Sequence, residues 1–229
     1  MTGARRRRRA SRGSGEQLRG EIVAAAKKLL AETKNADDVS IRAVADAVGV
    51  TPPSIYLHFA DKDALINAVV SDVFAELDAA MLAAADGVDG PLERLYAYGL
   101  AYIRFAVGHP EHYRLATMDP CPRPPAVDEV LANSAFAHLG EAVRDCMAAG
   151  IFAPGDHLPV TLDLWAAAHG IASLIVAKPY LPWGEVDEVG GRVLCAAALG
   201  HAVADLAGAD ATPAEREAWV TAQRRRRRR

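Results

Sequence analysis

The 229-residue chain is predicted to be all-α. Three observations carry that reading. Apolar residues recur at spacings of three and four, as in Leu18, Ile22, Val23, Ala26, Leu29 and Leu30, which is the signature of one face of a helix. Alternating apolar and polar runs, the mark of a half-buried strand, are scarce. The gaps between periodic stretches carry helix punctuation: Ser, Thr or Asp before a start, Gly after a stop. Roughly nine helices of ordinary size fit this length. A composition that is 51% hydrophobic supplies a sizeable core.

At the N-terminus, "MTGARRRRRASRGSG" has no apolar periodicity and reads as a disordered basic arm, residues 1–15. From Glu16 the pattern turns helical, and "KNADD" interrupts it. Ser40 can cap a short helix through Val48, because its hydroxyl can accept an orphan backbone N–H. Gly49 ends that helix. A third short helix is expected to run to about Phe59. Asp61 then caps a long fourth helix from Lys62 to about Ala85, with Leu65, Val69, Phe74, Leu77 and Leu82 among its apolar positions. "DGVDGP" separates it from further helical stretches near 91–107, 111–118, 126–149, 159–178 and 186–207. A tail over 211–229 ends in an Arg run.

The stretch "GVTPPSIYLHF", Gly49 to Phe59, sets two prolines inside this helical pattern. Proline breaks a helix from within, but at its first position the missing N–H has no partner to lose. Thr51 as N-cap with Pro52 next therefore starts a helix. The order is helix, Gly-containing turn, helix. Ala45 is small where two helices approach, and Val44, Val48, Val50, Ile55 and Phe59 can share a small core. This is a helix-turn-helix pattern, in which the second helix enters the DNA major groove.

Charge agrees. Residues 1–65 carry 12 Lys and Arg against 8 Asp and Glu, whereas residues 66–223 carry 8 against 21. A polyanion would meet the N-terminal part and be repelled by the acidic remainder. The sparse cysteines, Cys121, Cys146 and Cys195, make neither a disulfide framework nor a zinc ribbon and are expected to be buried free thiols. The apolar run "LWAAAHGIASLIVA" is expected to be too short to span a bilayer, and no apolar core follows the basic N-terminus as in a signal peptide. A cytoplasmic protein without membrane contact is the expectation. No HExxH, GxSxG, P-loop or GxGxxG occurs, and "HPEH" is not a zinc helix motif, so neither catalysis, nor a metal site, nor a cofactor is expected.

The stretch "IVAAAKKLLAETKNADDVSIRAVADAVGVTPPSIYLHFADKDALINAV" resembles the N-terminal domain of TetR-family transcriptional regulators. The resemblance rests on the Ser40–Ile41–Arg42 entry, the Ala-x-x-x-Gly-Val turn, and "IYLHFADKDAL", which is similar to the family's Tyr-x-His-Phe-x-x-Lys signature. "TLDLWAAAHGIASL" resembles the Trp-x-x-x-His-Gly element of one subgroup's C-terminal domain. The resemblance implies a helix-turn-helix DNA-binding domain over 16–62 and a larger helical effector-binding and dimerisation domain over 63–210.

For DNA, resemblance and chemistry point to Ser40, Arg42, Thr51, Pro53, Ser54, Tyr56, His58 and Lys62. The hydroxyls and imidazole offer hydrogen bonds, and Lys62 opens a helix whose free N–H groups also suit phosphate. Tyr56 and His58 have an alternative role packing on the fourth helix, and Pro53 in shaping its own. The expected recognition helix has no Lys or Arg, so Arg42 and the arm arginines would supply the cations.

For a small-molecule effector, the resemblance raises Tyr98, Tyr102, Phe105, Met118, Phe136, Met147, Trp165 and His169, although the same aromatic stripes would serve a plain core. Small-residue lines, Ala166–Gly170–Ser173–Ala177 and Ala196–Gly200–Ala204, suggest either intrachain packing or a homodimer interface through two C-terminal helices. The implied function is a dimeric, effector-responsive regulator, foremost a repressor released from a pseudo-palindromic double-stranded operator. The alternatives are activation and a ligand-independent or architectural DNA-binding protein.

Overall fold

The computed structural model describes residues 14–33, 39–117, 134–204, 206–208 and 210–226. Among these there are ten helices and no strand. They are α1 (Ser14–Thr33), α2 (Ile41–Val48), α3 (Pro52–Tyr56), α4 (Lys62–Ala85), α5 (Pro91–Gly108), α6 (Pro110–Thr117), α7 (Ser134–Ala148), α8 (His157–Ala177), α9 (Val186–Ala204) and α10 (Pro213–Arg226). Residues 1–13 of the expected arm, residues 126–133 of the expected seventh helix, Met118 and Cys121 lie outside the described residues, while Ser14 and Gly15, expected in the arm, begin α1.

The tail expected over 211–229 contains the tenth helix. Its start is a capping box: the Thr212 N–H donates to the Glu215 carboxylate at 2.7 Å, and the Glu215 N–H donates to the Thr212 hydroxyl at 3.4 Å. Pro213 holds the first helical position. The "TPAE" signature is present in the sequence but masked by the Arg run beyond it.

The chain divides into two compact units, Met1–Ala79 with Phe105–Asn133, and Ala80–Arg104 with Ser134–Arg229. In the first unit, α2 packs on α1 and α3 on α2, and α6 also lies against α1. Ile22, Ala26, Val44, Ala45, Ile55, Phe59, Leu65 and Val69 form its buried interior, while Val48 and Val50 are only half-buried. Lys27 on α1 donates to Asp72 at 2.5 Å and to Glu76 at 2.6 Å on α4. Burial pulls the Lys27 pKa down, but the hydrogen bonds and charges of the two carboxylates outweigh it and leave it raised.

In the second unit α8 is the central helix, packed between α7 and α9. Its 21 residues are long and apolar enough to cross a membrane by length and composition, which corrects the expectation from the shorter run "LWAAAHGIASLIVA". In this fold, however, Leu164, Ala168, Ile171, Ala172, Ile175 and Val176 are buried against protein. Arg104 on α5 donates to Asp187 at the start of α9 through two bonds of 2.8 and 2.6 Å. Gly99 marks a close approach: a Cβ there would stand 2.7 Å from Leu194 Cδ2. Cys146 is buried, and burial together with the nearby Asp145 charge pushes its thiol up to about 11. Cys195 is exposed, contrary to expectation, because it lies on the face of α9 that also exposes Arg192, Ala196 and Leu199.

Candidate nucleic-acid interface and effector site

The turn between α2 and α3 is built from local signals. Ser40 lies in extended backbone, and its Oγ accepts the Ala43 N–H at 3.1 Å. Gly49 adopts φ 77°, a left-handed conformation that suits glycine. Its N–H and that of Val50 both return to the Ala45 carbonyl, at 2.9 and 3.0 Å, closing α2. Ala45 is fully buried at this turn, so a larger side chain there would have no space.

Thr51 occupies the N-cap position of α3 but makes no side-chain cap hydrogen bond, which corrects the capping role expected for its hydroxyl. The reason is the Pro pair. Pro52 and Pro53 have no N–H to offer. The first available donor, the Ser54 N–H, goes to the Thr51 carbonyl at 2.8 Å. The Thr51 hydroxyl instead faces the Ser54 hydroxyl at 3.0 Å. Two prolines thus begin the helix and leave the cap side chain available for contacts outside the backbone.

Ile55 and Phe59 anchor α3 in the interior, and the Arg19 guanidinium lies 4.9 Å from the Phe59 ring centre. Away from the anchor, Tyr56 is 54% exposed and Leu57 is 84% exposed. Thr51, Pro53, Ser40 and Arg42 are exposed, whereas Ser54, His58 and Lys62 are half-buried. Asp61 Oδ1 accepts the Ala64 N–H at 2.7 Å and so caps α4, placing Lys62 at its first turn. Nothing in the sequence singles out Leu57. It reads there as one more apolar residue between Tyr56 and His58, and its exposure depends on where Ile55 is buried.

The second unit gathers four of the effector candidates. The Tyr102 hydroxyl lies 3.0 Å from His169 Nδ1. The Trp165 ring centre is 5.3 Å from that imidazole, and Phe136 meets Trp165 edge-on at 6.2 Å. Burial lowers the His169 pKa from its usual value, which favours the neutral ring. Tyr98 is buried on α5, and Met147 is half-buried on α7. Phe105 belongs to the first unit, where its ring centre lies 4.8 Å from that of His109. Aromatic rings with a few polar tips are the kind of side chains that line small-molecule sites, and here the two polar tips, Tyr102 and His169, are bonded to each other.

Exposed apolar side chains also line two helices of this unit. On α8 they include Leu162 and Leu174, and on α9 Leu199 and Val203. A Cβ added at Gly170 or at Gly200 would meet nothing within 4 Å. Among the described residues, those glycines therefore do not serve a close approach of helices within the chain.

Comparison with known proteins gives a consistent set of likenesses. A family model for bacterial regulatory proteins of the tetR family matches residues 22–69, and a model for a tetracyclin repressor-like C-terminal domain matches residues 95–189. The HTH-type transcriptional regulator EthR of Mycobacterium tuberculosis is 26% identical over 190 residues, covering 79% of this chain and 87% of that protein. EthR of Mycolicibacterium smegmatis is 27% identical over 113 residues, which span 49% of this chain and about half, 52%, of that relative. Among solved structures, a protein of unknown function from Rhodococcus sp. RHA1 is 30% identical, with a TM-score of 0.69 over 81% of this chain and 95% of its own.

Proposed function

The chain belongs to the tetR family of transcriptional regulators, with a helix-turn-helix DNA-binding domain, and from that premise we propose that it is a homodimeric repressor released from its operator by a small molecule. The observation that carries the DNA side is α3: buried through Ile55, it exposes Thr51, Pro53 and Tyr56, and its cap hydroxyl is not consumed by the backbone. In this reading α3 enters the major groove. The hydroxyls of Thr51, Ser54 and Tyr56 and the imidazole of His58 bind phosphates or base edges. Ser40, Arg42 and Lys62 fix the helix on the backbone, and Pro53 contacts the groove wall.

The effector site of this proposal is the Tyr102–His169–Trp165–Phe136 cluster, with Tyr98 and Met147 of the same unit as further candidates. Phe105 and Met118 remain candidates from the sequence. The dimer forms through the exposed apolar faces of α8 and α9. Open space over Gly170 and Gly200 supports this, since small residues there would let a second copy's helices approach closely. Two copies present two recognition helices to two half-sites of a pseudo-palindrome. An effector shifts the protein only by its differential affinity for the released conformer. The protein acts where the chromosome is, in the cytoplasm, and catalyses no reaction.

Selection of binding sites from random duplexes, repeated with candidate metabolites, tests the reading. A repressor of this kind enriches a two-fold symmetric site and loses it with at least one metabolite. Enrichment that no metabolite disturbs would favour a ligand-independent DNA-binding protein.

A further inference from the structure

The exposed face of α3 has an unusual chemistry, and its use in reading DNA rests on the protein being an operator-binding regulator. From Thr51 to Ala60 there is no Lys, Arg, Asn, Gln, Asp or Glu. The specific polar base contacts of the major groove use those residues: Arg or Lys bidentate on guanine, Asn or Gln bidentate on adenine, Asp or Glu accepting from cytosine N4. None is available on this helix. Pro53, Tyr56 and Leu57 instead fall at positions i, i+3 and i+4, the spacing that puts side chains on one helix face, and all three are exposed.

Leu57 is the sharpest case. It is 84% exposed, at the C-cap of α3, in right-handed helical backbone with φ −72° and ψ −20°. Ile55 and Phe59 on either side of it supply the anchoring, so packing does not require a leucine at this position. An aliphatic side chain cannot pair with phosphate or with a polar base edge. The major groove offers one apolar feature, the 5-methyl group of thymine. We propose that Leu57 reads that methyl group in each operator half-site, so that a thymine is preferred under the C-terminal end of α3. Burying one methyl-sized group against an aliphatic side chain changes affinity about fourfold, and two symmetric half-sites about fifteenfold.

The experiment uses the full-length protein and the operator it selects from random duplexes. Each thymine of the half-site is replaced in turn by deoxyuridine, which keeps base pairing and removes only the methyl group. One position per half-site should lose about fourfold in affinity, and about fifteenfold when both are replaced. Leu57→Ala and Leu57→Gln, with unchanged melting curves, should bind the thymine and deoxyuridine operators equally at that position. The proposal is overturned if deoxyuridine is neutral at every position, if the loss persists undiminished in both variants, or if the half-sites contain no thymine. It is also overturned if Leu57→Ala changes the oligomeric state while leaving thymine discrimination intact, since Leu57 would then serve a contact between copies. Failure to enrich any sequence removes the regulator reading itself; enrichment without a deoxyuridine effect removes only this inference.

Discussion

The Tyr102 hydroxyl stands 3.0 Å from Nδ1 of His169, a hydrogen bond between side chains 67 residues apart in sequence. It joins α5 to α8 within one compact unit. A partly buried imidazole held this way has a direct consequence for stability.

Burial lowers the His169 pKa below its usual value of 6.5, and it does the same for His112 on α6, where the positive charge of Lys27 adds to the effect. The folded chain then binds fewer protons than the unfolded chain in the window below about pH 6.5. Stability is therefore intact above that pH and falls as pH drops from 6.5 towards the folded-state values. Melting curves recorded between about pH 7.5 and pH 5 should show this loss, and His169→Gln should make it shallower. Identical pH profiles for the two proteins would refute a contribution from His169.

Tyr56→Phe should weaken operator binding without unfolding the protein. The side chain is 54% exposed, and Tyr56→Phe keeps the ring, so loss of the hydroxyl leaves the packing of the ring in place. A hydrogen bond to a charged partner is worth about 1.5–3 kcal/mol, roughly ten- to a hundredfold in affinity. Equal operator affinity, with superimposable melting curves, would show that the hydroxyl does not touch DNA.

Removing residues 1–12 deletes six arginines. Affinity should fall, and its dependence on salt should flatten. Every phosphate that the shortened protein no longer neutralises takes about 0.9 from the slope of log affinity against log salt. Titration of the intact and shortened proteins at several salt concentrations gives both slopes directly, and parallel lines would exclude the arm from the complex.

Gly170→Leu and Gly200→Leu should each break the dimer while leaving the subunit folded. A Cβ at either position meets nothing within 4 Å among the described residues. In a symmetric interface the same leucine appears twice, and overpacking costs about 1–3 kcal/mol at each site. Circular dichroism should be unchanged, sedimentation should show monomer, and specific DNA binding should drop by orders of magnitude as one half-site is lost. Dimers that persist at micromolar concentration in both variants would put the interface elsewhere.

The sequence by itself determined the helices and the way they start and stop. Ser40, Gly49 and Asp61 act on backbone groups within four residues of themselves, so their roles follow from local steric and hydrogen-bonding rules and match the structure. The same locality makes α10 readable in principle through Thr212 and Glu215, although the Arg run beyond them reads as a tail. The turn between α2 and α3 is legible for this reason too, down to the buried Ala45 and the role of the prolines as a helix start. Only the tertiary structure decided which side chains those helices expose and which distant groups they bring together. Periodicity marks Leu57 as apolar without saying that it faces solvent, because the burial of Ile55 sets the rotation of a five-residue helix too short to show a stripe. Tyr102 finds His169, and Lys27 finds Asp72 and Glu76, through packing between helices far apart in the chain. Those pairings depend on helix rotation and crossing, which sum weak contributions over whole interfaces and leave no signature at a fixed spacing.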